Sequence, residues 1–439
     1  MTPMIALLPW GDFIEDFLDG IGVSLEEFCS KMTGGWLFGY VEALRRQGIR
    51  CSIFCFSERV ESTVHKFHEA SGANIIVMRG PRSYRGLRRH IKDPYGASVE
   101  TMFGPSRGIS RQYRRFFRQV TPYLATPIRL LAREIRRAGC NAILCQEYES
   151  PRFDTSVAVG NLLRIPVFAT FQGGIWHRSR IEDFVRPITL RRCAGLIIGS
   201  SIEETRVREG YGLPAEKIQR IFNPLDIAEW QASSRMDARI KLGIGESTRV
   251  AVWHGRIDIR RKGLDILLGA WKNVCMQRQD RDILLMLIGS GPDVELLDKE
   301  IREMALSRIR WIRSYVLDRP MMRQYLSAAD VYVFPSRHEG FPVAPLEAMA
   351  CGLPIVAAAA PGICDILNDG EESGGIVVPI GDAPALGGAV GRMLDSVSEG
   401  RVLGARARLR VERGFSLQTV GVQLHEFLRK GGGLRVWPD

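Results

Sequence analysis

Two glutamates with seven residues between them flank a glycine turn in the run Glu339-Gly340-Phe341-Pro342-Val343-Ala344-Pro345-Leu346-Glu347. An ionised carboxylate has two acceptor oxygens and matches a pair of neighbouring hydroxyls. Glu347 therefore suits a ribose and Glu339 the hydroxyls of a sugar, which leaves the backbone amides near Gly340, Phe341 and Val343 for phosphate oxygens. Either glutamate alone also reads as a helix-dipole partner or a loop charge. Their pairing across a glycine turn makes a shared site the better reading.

A second constellation supplies the opposite charge. After an apolar run ending at Trp253 come His254-Gly255-Arg256, a loop through Arg260, Arg261 and Lys262, and Gly263. A strand, a cationic loop and a helix N-terminus together make an anion site, because amide N–H groups, helix dipole and side-chain charge all favour phosphate. Arg256 and Lys262 are the expected diphosphate ligands. Basic loops before helices are common, and a solvated turn fits the same residues.

These residues need a scaffold that brings them together. Short apolar runs alternate with helical periodicity along the chain, the pattern of parallel α/β domains. Strands are predicted over 5–8, 51–56, 74–78, 142–145, 166–170, 195–199 and 218–222, and again over 249–253, 283–288, 330–334, 355–359 and 376–378. Helices are predicted over 36–47 and 154–163. Leu264, Leu267, Leu268, Trp271, Val274 and Cys275 follow the spacing of an amphipathic helix. Pro345 falls in the first turn of a helix closed by Gly352, which sets Glu347 at its start and Glu339 in the loop above the sheet. The rhythm restarts near Asn223-Pro224. The expected organisation is two doubly wound domains, 1–223 and 224–412, and a terminal segment 413–439. Ligands of such sheets settle outside the carboxyl ends of the strands, so the informative residues should follow strands.

Composition narrows the function classes. The 439 residues are 45% hydrophobic, as in a globular protein. The nine cysteines form no Cys-x-x-Cys pair and read as reduced core thiols. No run approaches the length needed to span a bilayer, and Met4 to Pro9 is too short for a signal sequence, so a cytoplasmic location is expected, free or on a membrane face. The net charge of +11 is concentrated: Arg79 to Arg137 holds 15 Lys or Arg against three acids. Such a segment attracts an anionic membrane surface or a phosphorylated acceptor, and it also fits a solvated helix face around Arg111 to Arg137. Nucleic acid is not expected, because Tyr113, Phe116 and Phe117 fit a helix packing stripe at least as well as a base-stacking platform.

The run EGFPVAPLE, with HGRIDIRRKGLDILLGA, LLMLIGSGP, YLSAADVYVFPSRHEGF, AMACGLPIVA and VVPIGD in order from Val252 to about Asp382, resembles the family 4 retaining glycosyltransferases of the GT-B fold. In the first half, Thr33-Gly34-Gly35, RIPVFATFQGG, GLIIGS and IFNPLD resemble the family more loosely. The resemblance implies two Rossmann-like domains facing a cleft: an acceptor domain, a nucleotide-sugar domain, and a terminal helix from about Phe415 crossing back to the first. It implies transfer of a sugar from a UDP- or GDP-sugar to a glycan, lipid or small-molecule hydroxyl with retained configuration. Gly34 and Gly35 would then lie under the donor diphosphate, with Glu339, Arg256 and Lys262 catalytic.

Family members often carry histidines where this chain has Gln146 and Gln172, and a glutamine keeps a hydrogen bond but cannot titrate near neutrality. His177 and Glu147 are further candidates on the acceptor or sugar side, with a bystander histidine and a solvent-facing carboxylate as the alternatives. Two cations at the diphosphate make a divalent metal unnecessary, and no cofactor is expected. A non-catalytic scaffold of the same fold, or a nucleotide-sugar epimerase, are the competing readings.

Overall fold

The chain's apolar runs form strands buried on both faces, as parallel sheets require. In the first of them, β1 (Met4–Leu8), all five residues are buried. Ile5 and Leu7 enter one core while Met4, Ala6 and Leu8 enter the core on the other side of the sheet. The computed structural model describes residues 2–9, 11–93, 99–105, 109–173 and 179–433.

The first domain continues through β2 (Arg50–Ser57), β3 (Val64–His68), β4 (Ala73–Arg79), β5 (Ala142–Cys145), β6 (Val167–Phe171), β7 (Gly195–Ile198) and β8 (Ile218–Gln219). Their order is β3-β4-β2-β1-β5-β6-β7-β8, parallel except where β3 turns back on β4. The second domain has β9 (Arg249–His254), β10 (Ile283–Ile288), β11 (Ile309–Ile312), β12 (Val331–Phe334), β13 (Ile355–Ala358) and β14 (Gly375–Val378), ordered β11-β10-β9-β12-β13-β14 and all parallel. Both doubly wound sheets expected from the sequence are therefore present.

The differences have physical reasons. Strand β3 was not foreseen because its residues Val64 to Phe67 are partly or fully exposed on a sheet edge, so no apolar run marks it. Strand β11 is likewise a half-exposed edge. The strand expected over 218–222 stops at Gln219. Beyond it Phe222 instead stacks on Phe341 with ring centroids 4.8 Å apart, and meets Phe415 at 5.1 Å. All nine cysteines are free thiols, seven of them buried. No helix of the described residues is long and apolar enough to cross a membrane.

The chain returns to the first domain at its end. Leu225 N–H donates to the Phe415 carbonyl at 2.7 Å, and Leu417 N–H donates back to Leu225 at 3.1 Å. The helix Leu417–Gly432 then buries Leu417, Val420, Leu424, Phe427 and Leu428 in the first-domain core. Phe427 packs at 5.7 Å against Phe168 of β6.

Strand order reverses beside β1 in the first sheet, between β1 and β5, and beside β9 in the second, between β9 and β12. Such switch points open a crevice at the carboxyl ends of the strands. The loops after β5, β9 and β12 carry Glu147, Lys262 and Glu339, and all three line one cavity of about 1600 Å³ with walls from both domains.

Candidate active site

On the second-domain wall, β9 ends at His254 and leads to Arg256 and Asp258. The Asp258 carboxylate caps the short helix Ile259–Lys262, accepting from Arg261 N–H at 3.0 Å. Gly263 (φ +65°) then breaks the chain so that the helix Leu264–Gln277 starts in a new direction. A Cβ at Gly263 would overlap the Pro335 carbonyl of the loop after β12. The arrangement corrects the expected single helix start: the loop contains a helix of its own, and Lys262 stands at its end rather than before a long helix.

Lys262 Nζ donates to Glu339 Oε1 at 2.6 Å. Glu339 is 6% exposed. Burial alone would raise its pKa, but Lys262 and Arg261 outweigh burial and hold the carboxyl below its ordinary value. Two of the three expected catalytic residues are thus an ion pair on the cavity wall, where a phosphate oxygen would compete for the ammonium and sugar hydroxyls for the carboxylate. Arg256 lines the same wall with Nη2 3.4 Å from Asp258 Oδ2.

Glu347, in the helix Ala344–Ala350, has Oε2 2.8 Å from His254 Nε2. His254 lines the cavity; Glu347 itself does not, although Val343 and Ala344 just before it do. His254 was not singled out from the sequence as a partner for Glu347, although it directly precedes Gly255-Arg256. Its carbonyl accepts from the Tyr332 hydroxyl at 3.2 Å, so strand β12 fixes the backbone that presents the ring.

Where the domains meet, main chain touches main chain. Gly340 lies so close to the first domain that a Cβ there would overlap Gly173 N and the Gln172 carbonyl carbon. Asn223 Nδ2 donates to the Phe341 carbonyl at 2.8 Å, and the Gln172 and Asn223 side-chain amides bond reciprocally at 3.0 and 2.7 Å. Arg261 Nη2 donates to the Gly173 carbonyl at 2.6 Å. Gln172, expected at the sugar, therefore lines the cavity while its amide holds Asn223. Arg261, adjacent to Lys262, was missed as a bridging residue. Gly340 serves close approach rather than lining the cavity.

Of the two glycines expected under the diphosphate, Gly35 (φ +58°) lines the cavity beside Trp36 and opens the helix Gly35–Arg46. Gly34 (φ +78°) does not line it; a Cβ there would lie 3.4 Å from Arg319 Nη2 of the second domain. On the acceptor side, Gln146 is buried on the cavity wall. His177 lies outside the described residues.

Glu147 adopts φ +60°, a left-handed conformation costly for a residue with a Cβ. That turn at the end of β5 brings its carboxylate to the cavity wall, where Oε1 accepts from Gln172 N–H at 2.8 Å. Burial pushes the Glu147 carboxyl up to about 8; the Gln172 amide and Arg261 oppose the rise, and Glu149 and Glu203 add to it. A carboxyl raised in the fold stabilises the protein below its ordinary value of 4.5, and that contribution is lost as pH rises toward about 8. Glu147→Gln should therefore melt with a shallower decline between those pH values than the wild type. Parallel melting-temperature curves in calorimetry would refute the buried protonated state.

Among the described residues no group of three or more His, Cys, Asp or Glu could hold a metal ion.

Comparison with known proteins agrees with this architecture. Residues 248–396 match the family model described as "Glycosyl transferases group 1". The "MMP alpha-(1->4)-mannosyltransferase" of Mycolicibacterium hassiacum is 35% identical over 166 residues, covering 38% of this chain and 39% of the relative. The "D-inositol 3-phosphate glycosyltransferase" of Jonesia denitrificans is 27% identical over 200 residues, 43% of this chain and 46% of the relative. The chain thus spans less than half the length of either relative. Among solved structures, sucrose-phosphate synthase from Thermosynechococcus elongatus superposes over 98% of both chains with a TM-score of 0.70 at 21% identity. HepE of Anabaena in complex with UDP superposes over 97% of this chain and 99% of its own, with a TM-score of 0.67 at 16% identity. With both sheets accounted for and the second-domain loops matched, the chain has the GT-B fold, and residues 248–396 are similar to the glycosyl transferases group 1 family.

Proposed function

We propose that this chain is a retaining hexosyltransferase that moves a sugar from a UDP- or GDP-sugar to an acceptor hydroxyl. One observation carries the reading: the Lys262–Glu339 ion pair, with Arg256 beside it, on a cavity walled by both domains. The named activities of the relatives support sugar transfer, and the UDP held by HepE supports a nucleotide ligand.

In this reading the donor diphosphate meets Arg256 and Lys262, and Glu339 bonds hydroxyls of the sugar. As the glycosidic bond breaks, negative charge grows on the leaving diphosphate, and the two cations stabilise it without a divalent metal. The acceptor hydroxyl attacks from the same face, its proton passing to a diphosphate oxygen, so the anomeric configuration is kept. The twofold bonding of His254 to Glu347 and Tyr332 holds the wall on which the nucleoside would lie.

Thermal-shift measurements with UDP, GDP and ADP test the reading. One nucleotide should raise the melting temperature, by an amount equivalent to about 2.7 kcal/mol at a concentration a hundredfold above its Kd. The matching nucleotide sugar should then be slowly hydrolysed in the absence of acceptor, with the released sugar in the donor's configuration. Neither a shift nor hydrolysis with any of the three would overturn the proposal, and conversion of the donor to another nucleotide sugar would assign the chain to the epimerase class instead.

A further inference from the structure

The helix Ile109–Leu124 is amphipathic in an unexpected sense. Arg111, Arg115, Arg118, Gln119 and Pro122 fall on one face at helical spacing and line the cavity. On the opposite side Tyr113 and Phe116 are 63% and 60% exposed. A helix positioned only by solvation would turn its arginines to water and its rings to the protein. This one turns guanidinium groups toward the cleft and leaves the rings outside. The basic segment is therefore more than a solvated face, and part of its charge is delivered to the site.

Four carboxylates on the same wall have partners elsewhere, and Asp93 and Glu147 line it as well. Asp16 accepts from Arg88 Nε at 3.1 Å, Asp12 from the Tyr84 hydroxyl at 2.6 Å, and Glu182 from the Ser179 amide at 2.7 Å, while Glu149 is paired with Arg206. Arg111 lies 2.9 Å from Glu100, but the two side chains are 50% and 40% exposed, so solvent screens that pair and it holds the guanidinium weakly. Arg180, the first residue of the helix Arg180–Arg192, lines the cavity as well. Among the described residues no carboxylate is ion-paired with Arg115 or Arg180, and both are exposed enough to reach a ligand.

We propose that Arg111, Arg115 and Arg118, together with Arg180, form an anion subsite at the first-domain end of the cleft that takes a phosphate group of the acceptor. Guanidinium forks match phosphate oxygens with paired, charge-assisted hydrogen bonds. A subsite there would anchor the acceptor by its phosphate and leave a hydroxyl to face the donor. The role as an acceptor anchor rests on the transferase reading; the phosphate binding does not.

The test uses the full chain with the donor side saturated by whichever nucleoside diphosphate gives the thermal shift, or with Lys262→Ala if none does. Inorganic phosphate is titrated by calorimetry into the wild type, Arg115→Gln/Arg180→Gln and Arg115→Lys/Arg180→Lys. Phosphate should bind the wild type, about tenfold or more weaker to the glutamine variant and intermediately to the lysine variant. Vesicles of phosphatidylcholine with and without phosphatidylglycerol then identify the source. Sedimentation with the anionic vesicles that the glutamine variant loses supports the subsite with a lipid headgroup as its ligand. Phosphate binding without sedimentation supports it with a water-soluble phosphate ester. Equal phosphate binding by a folded glutamine variant, or none by the wild type, overturns the proposal. Absence of both nucleotide shift and donor hydrolysis alongside normal phosphate binding would overturn the transferase reading and leave the subsite standing.

Discussion

Lys262→Ala should lower turnover about 10²-fold or more while the protein stays folded, because it removes a preorganised cation from the place where charge develops. Lys262 is the largest influence holding the Glu339 carboxyl below its ordinary value, ahead of Arg261. The substitution therefore also leaves a buried carboxylate with a poorer partner, which destabilises the fold independently of any catalytic role. A second variant separates the two effects. Lys262→Ala/Glu339→Gln removes the orphaned charge and should recover melting temperature without recovering turnover. Arg256 remains on the wall in both, so nucleotide binding should weaken less than turnover does. If the folded single variant turned over donor at the wild-type rate, Lys262 would not be the cation that meets the leaving group. If the double variant recovered activity along with stability, the role of the pair would be structural only.

The pairing itself shows where sequence reasoning reaches its limit. Residue type and position after strands single out both Lys262 and Glu339, yet they assign the two residues separate tasks. Their contact spans 77 positions, and that of His254 with Glu347 spans 93. Both contacts depend on β12 lying directly beside β9, a neighbour relation set by sheet order rather than by any local signal. The Glu-Gly-Phe turn was legible for the opposite reason, since glycine, proline and acid at short spacing define their own geometry. The family resemblance implies a sugar or acceptor contact for Gln172; its bond to Asn223 depends on where the second half of the chain crosses over. The basic segment shows its charge directly, but which face turns inward depends on how the helix Ile109–Leu124 packs, with Arg111, Arg115 and Arg118 lining the cavity. Edge strands β3 and β11 escaped because a half-exposed strand has no apolar run to announce it.

Gly340→Ala should cost about 10²-fold in transfer, the penalty expected when reacting groups are displaced by roughly 1 Å. Gly340 does not occupy the left-handed region, so its backbone would accept alanine without strain. What it lacks is room: the added methyl would overlap Gly173 N and the Gln172 carbonyl carbon, main-chain atoms of the other domain that cannot rotate aside. The Asn223 bond to Phe341 O and the Arg261 bond to Gly173 O pin the same crossing from either side, so relief must come from moving one domain against the other. Arg256 and Lys262 would stay in place within the second domain, and Gln146 and Glu147 within the first, but the walls of the cavity would part. Nucleotide-induced stabilisation should therefore survive while transfer is lost, a split that neither misfolding nor loss of a phosphate ligand would produce. Gly173 is a less discriminating probe, since at φ +99° any side chain there also strains the backbone. Wild-type transfer by Gly340→Ala would mean that the reacting arrangement holds the domains farther apart than this contact, and the residues assigned to a common site would have to be matched again in that more open geometry.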